Sequence, residues 1–82
     1  MEIKILGTNI TQCRMFERNI REVVEKNNIN ANIINMSNVD DVNEMKKFGI
    51  FVPTAMIINE NVEIKGRVAK SQEIKTVIDK YA

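Results

Sequence analysis

Polar and apolar positions alternate from Glu2 to Leu6, with Ile3 and Ile5 facing one way, and this period of two predicts a half-buried strand. Gly7-Thr8-Asn9 interrupts the alternation. From Ile10 to about Lys26 the period changes: Cys13, Phe16, Ile20, Val23 and Val24 recur at steps of three and four, tracing one inward stripe along a helix. Asn9, with Gln12 three residues on, fits a capping box, because an Asn side chain there accepts from an otherwise unpaired amide of the first turn. Asn27-Asn28 ends this helix, and Asn30 to Met36, carrying Ile33 and Ile34, predicts a second strand. A helix of that length suits a right-handed crossover between two parallel strands.

Further along, Ser37 or Asn38 is placed to cap a second helix. Asp40 and Asp41 stand at its positive end, Val39, Val42 and Met45 supply its apolar positions, and Lys46 and Lys47 suit its negative end. Gly49 stops it. Ala55 to Asn59 and Val62 to Gly66 are two short β-rich runs on either side of Glu60-Asn61, the pattern of a tight hairpin. Ser71 caps a last helix whose buried face is Ile74, Val77, Ile78 and Tyr81. The order β-α-β-α-β-β-α defines an α/β chain, with a four-stranded mixed sheet flanked by helices and residues 1–82 forming a single domain.

Composition narrows function by exclusion. The chain is 44% apolar and 28% charged with a net charge of +1, and its Lys and Arg residues are interspersed with acids. No strong field exists to recruit nucleic acid or an anionic membrane. Lys65, Arg67 and Lys70 form a loose basic cluster, but three Phe and one Tyr provide no stacking platform to accompany it. No apolar run approaches the roughly 20 residues that span a bilayer, and Met1-Glu2-Ile3-Lys4 leads straight into a strand, so a cytoplasmic location is expected. Histidine is absent, which removes the side chain whose ordinary pKa lies near neutrality and the commonest transition-metal ligand. The three glycines stand far apart and form no phosphate loop. Asp40 and Asp41 are adjacent on a helix and point in different directions, so they complement the helix dipole rather than act as a carboxylate pair. No cofactor and no metal are expected.

Chemistry therefore falls to the one cysteine. Cys13 lies one turn into the first helix on the same stripe as Phe16 and Ile20, a position that points it toward the core, where apolar surroundings favour the neutral thiol. Three residues earlier stands Ile10, at the helix start. A side chain at that seat faces solvent and the positive end of the helix dipole, where a thiol would be activated and a hydrocarbon is inert.

The element order, Ile5-Leu6-Gly7-Thr8 leading into the cysteine-bearing helix start, Phe51-Val52-Pro53-Thr54 ahead of the hairpin, and the Gly66-Arg67-Val68 step together resemble the small thioredoxin/glutaredoxin-like proteins of bacteria and archaea. The resemblance covers essentially the whole chain. It implies that Gly7 to Cys13 corresponds to a Gly-Thr-Gly-Cys-x-x-Cys segment, with Cys13 at the second, resolving position, Ile10 in place of the first, nucleophilic cysteine, and Asn9 in place of a glycine. It implies also a cis peptide bond at Pro53, facing the cysteine loop, and a backbone at Val52 that pairs with an extended substrate segment. On this basis Ile10, Phe51, Val52 and Pro53 form a small apolar surface with Thr8, Asn9 and Thr11 as its polar edge, a place for a protein or peptide partner. The implied function is a thiol-disulfide oxidoreductase descendant whose dithiol cycle is broken and whose activity is weak or absent. A module that binds peptides without covalent chemistry is the alternative, and a monomer or weak dimer is expected in either case.

Overall fold

The computed structural model describes residues 1–36, 42–47, 49 and 54–81. Seven elements run in the order β1 (Glu2–Gly7), α1 (Ile10–Lys26), β2 (Asn32–Met36), α2 (Val42–Lys47), β3 (Thr54–Ile58), β4 (Asn61–Lys65) and α3 (Ser71–Asp79). The strands form one sheet in the order β2-β1-β3-β4. β1 pairs parallel with β2, through Ile3 with Ile33 and Ile5 with Asn35, and antiparallel with β3, through Ile5 with Met56. β3 and β4 are antiparallel neighbours. The expected α/β architecture with a four-stranded mixed sheet is thus the observed one.

Burial follows the two periods read from the sequence. Ile3 and Ile5 of β1, with Met56, Ile58 and Ile64, cover one sheet face, and Cys13, Phe16, Ile20, Val23 and Val24 of α1 close over it with Ile74, Val77 and Ile78 of α3. Leu6 breaks the half-buried expectation. It is fully enclosed in a second cluster with Ala55 and Ile57, against which Met36 packs. Alternation places Leu6 on the opposite side of β1 from Ile5, so this strand is apolar on both faces near its end, as a central strand covered on both sides must be.

The ends of α1 are specified by asparagines. The Asn9 side chain accepts from the Gln12 amide at 3.0 Å, and the Asn9 carbonyl takes the Cys13 amide at 3.0 Å, which starts the helix where the sequence places it. At the other end the amide of Asn28 reaches the Glu25 carbonyl and that of Ile29 reaches the Val24 carbonyl at 2.9 Å, with Asn28 at φ 52°. This is a Schellman motif with Asn in the left-handed seat that glycine usually takes, and Ile29 packs on the core beside it.

Three local expectations are corrected. The hairpin turn is Asn59-Glu60, one residue before the expected Glu60-Asn61, and β3 and β4 each begin one residue earlier than expected. Both turn residues have positive φ, 47° and 73°, as a two-residue turn matching the sheet's twist requires. Asn59 decides the register because its side chain also accepts from the Glu2 amide at 2.9 Å, tying the turn to β1. The N-cap of α3 is Lys70, with no side-chain cap, and Ser71 is the first helical residue. Tyr81 lies just past α3, half-buried, and its hydroxyl donates to the Glu63 carboxylate of β4. Gly49, at φ 71°, follows α2 and donates to the Lys46 carbonyl, consistent with a stop signal. The proposed caps of α2, Ser37, Asn38, Asp40 and Asp41, and its apolar Val39 lie outside the described residues, as do the side chains of Val42 and Met45.

Candidate functional site

The βαβ crossover places the start of α1 at the carboxyl end of β1, where the chain turns through Gly7, Thr8 and Asn9. Side chains there meet one of two fates. Thr8, Asn9, Ile10 and Thr11 are all exposed, with Ile10 at 53%. Cys13 is wholly enclosed at 0% exposure. A helix turns 100° per residue, so residues three apart lie on neighbouring faces, and the stripe that puts Phe16 in the core takes Cys13 with it while leaving Ile10 at the rim. Asn9 is committed to its cap, which leaves Thr8, Ile10 and Thr11 as the outward side chains of this tip.

Under the sulfur lies Thr54. It is buried at 0% exposure, the one polar residue among the fully enclosed core positions described, and its hydroxyl stands 3.8 Å from Cys13 Sγ with either atom able to donate. A buried hydroxyl without a partner costs free energy, and the sulfur provides one. Sequence reading passed over Thr54, and the available signal was a β-branched polar residue at the first position of an otherwise apolar strand. Phe51, Val52 and Pro53 lie outside the described residues, and with them the expected cis bond and the apolar surface they were to share with Ile10.

A second missed residue is Asn35. Its amide donates to Glu17 Oε1 at 2.8 Å and approaches the Cys13 carbonyl at 3.4 Å, so β2 is fastened to α1 beside the cysteine. The Asn35 amide oxygen is enclosed with no hydrogen-bond partner. Glu17 also takes Arg21 Nε at 2.8 Å. The Arg21 hydrogen bond first, then the Asn35 amide, hold the Glu17 carboxyl below its ordinary value against the opposing push of desolvation. The expected basic cluster is partly neutralised, since Arg67 forms a bidentate pair with Glu73, which raises Arg67 and lowers Glu73.

The element order β-α-β-α-β-β-α with a mixed sheet ordered β2-β1-β3-β4 is that of the small thioredoxin-like class of α/β proteins. The comparisons agree: a family model described as a thioredoxin domain matches residues 1–79. The chain belongs to the thioredoxin family. It is 32% identical over 78 residues to a protein named thioredoxin from Methanothermobacter thermautotrophicus, covering 95% of this chain and 97% of that one. It is 29% identical over 79 residues to a protein of the same name from Methanocaldococcus jannaschii, covering 96% of this chain and 87% of the relative. No helix among the described residues is long and apolar enough to cross a membrane.

Proposed function

We propose that this chain is a thioredoxin-family protein whose dithiol cycle is broken, with weak or absent disulfide reductase activity of its own. The reading rests on one observation: the outward seat of the helix tip holds Ile10 and the sole thiol is enclosed one turn further in. Disulfide exchange begins when a thiolate approaches a substrate disulfide end-on, forms a mixed disulfide and expels the other sulfur as a thiolate. A second thiol must then attack the mixed disulfide to release the enzyme in its oxidised form. Ile10 can perform neither step, and Cys13 offers the first no surface and has no second cysteine in the chain for the other.

The test is insulin disulfide reduction by the parent and by an Ile10→Cys variant, each supplied with the same external reductant. The expected result is a rate near the uncatalysed background for the parent and a clear gain for the variant, because the substitution supplies a thiol at the dipole-facing position above a second sulfur already in place. Equal rates in both proteins would refute the reading of the tip.

A further inference from the structure

The two edges of the sheet are unlike. β4 carries Glu63 and Lys65, and Glu63 is engaged by Lys80 and Tyr81. Charges on an edge strand are a common guard against pairing with another chain. β2, at the opposite edge, has no such guard. From Asn27 through Val39 the sequence contains no charged residue and no proline, in a chain that is 28% charged, and β2 itself reads Asn-Ile-Ile-Asn-Met. Among the described residues β2 pairs with β1 alone. Its Asn32 amide donates to the Met1 carbonyl at 2.9 Å, so the backbone groups of Asn32, Ile34 and Met36 turn toward β1, and by alternation those of Ile33 and Asn35 turn outward.

We propose that this edge is the interface of a two-fold homodimer, β2 pairing antiparallel with β2 of a second copy about an axis at Ile34 and joining the two sheets into one. Of the axes at which outward backbone groups meet outward groups, it is the one that pairs both Ile33 and Asn35 within the strand itself. Ile33 of each copy stands opposite Asn35 of the other in hydrogen-bonded pairs, giving about four interstrand bonds, and Ile34 faces its own counterpart in the closer non-bonded pair. A shift of the axis by half a residue would set outward groups against inward ones and form no ladder.

The flank of α1 favours the same occupant independently. With Asn35 it lines an open groove in which Glu17 and Arg21 pair with each other, leaving Arg14 and Arg18 toward the helix start and Glu22 and Glu25 toward its end. The crossover makes α1 antiparallel to β2, so the same axis lays the two α1 helices side by side in opposite directions. Each positive half then approaches the other's negative half, a self-complementary charge pattern that a second copy satisfies.

Sedimentation equilibrium of the full chain over a wide concentration range tests the proposal. The parent is expected to follow a monomer–dimer equilibrium, and Ile34→Lys, which opposes two ammonium groups across the axis, is expected to raise the dissociation constant about tenfold or more. A second variant guards against a folding defect. Ile34→Cys is expected to give a disulfide-linked dimer under oxygen, since Cys13 is enclosed and the introduced thiols meet at the axis, whereas Val62→Cys on the β4 edge is not. A parent that stays monomeric at every concentration, a dimer indifferent to Ile34→Lys, or equal cross-linking of the two Cys variants would each overturn it.

Discussion

At the residue scale, Cys13 is first a packing atom. Its side chain belongs to the main buried cluster with Phe16, Ile20 and Met56, and its sulfur satisfies the Thr54 hydroxyl. Cys13→Ala is expected to destabilise the fold by about 1 kcal/mol, through a small cavity and an orphaned hydroxyl, while leaving insulin reduction unchanged. Urea midpoints and the turnover assay check the two halves. Alkylation gives the complementary measure: iodoacetamide is expected to modify the native thiol only as fast as the fold opens, and the denatured thiol at once. The role of Cys13 in the core was legible in the sequence because a stripe at steps of three and four admits only one inward face. Thr54 was not, since a single polar residue heading an apolar strand gives no hint of which partner lies beneath it until the strand order is known.

At the scale of elements, short-range grammar was read well where a side chain acts on its own neighbourhood and less well where a distant strand intervenes. The Asn9 cap is the first kind. Asn9→Ala is expected to cost about 1 kcal/mol by equilibrium unfolding, and Asn9→Ser to recover most of it, because either oxygen accepts from the Gln12 amide. The hairpin turn is the second kind. Its register is fixed by Asn59 reaching back to Glu2, a contact between residues far apart in sequence, and the turn accordingly sits one residue before its expected place. The Asn35 link between β2 and α1 is also long-range. It has a pH signature: Glu17 is held below its ordinary value, so its contribution to stability is complete above the unfolded carboxyl's pKa of about 4.3 and is lost as pH falls through the lower folded value. Glu17→Gln is expected to flatten that acid limb in urea midpoints taken from neutral pH downward.

For the molecule as a whole, element order and the core were legible because two simple periods, two and about three and a half, map onto a sheet face and a helix stripe. The asparagines carried more than composition suggested. Asn9, Asn28, Asn35 and Asn59 respectively start α1, end it, fasten it to β2 and set the hairpin, the first two jobs legible in the sequence and the last two only once the strands are ordered. The closing contact of the chain gives a global probe. Tyr81 is the sole tyrosine in a chain without tryptophan, and the Glu63 carboxylate first, then desolvation, push its phenol above the ordinary value. Ultraviolet titration is expected to show one tyrosine ionising late, and Glu63→Gln to bring it back toward about 10. Since the folded value is raised, the contact's contribution is present below the unfolded pKa and disappears as pH rises through the folded one.

The exposed seat of Ile10 separates inheritance of architecture from inheritance of chemistry. A side chain that is 53% exposed and outside both buried clusters contributes little to holding the fold, so nearly any residue compatible with a first helical turn can replace it at small energetic cost. On the proposed reading of the tip, selection can remove or reinstate reactivity in a lineage by changing this one codon, with the scaffold passing unaltered through each step.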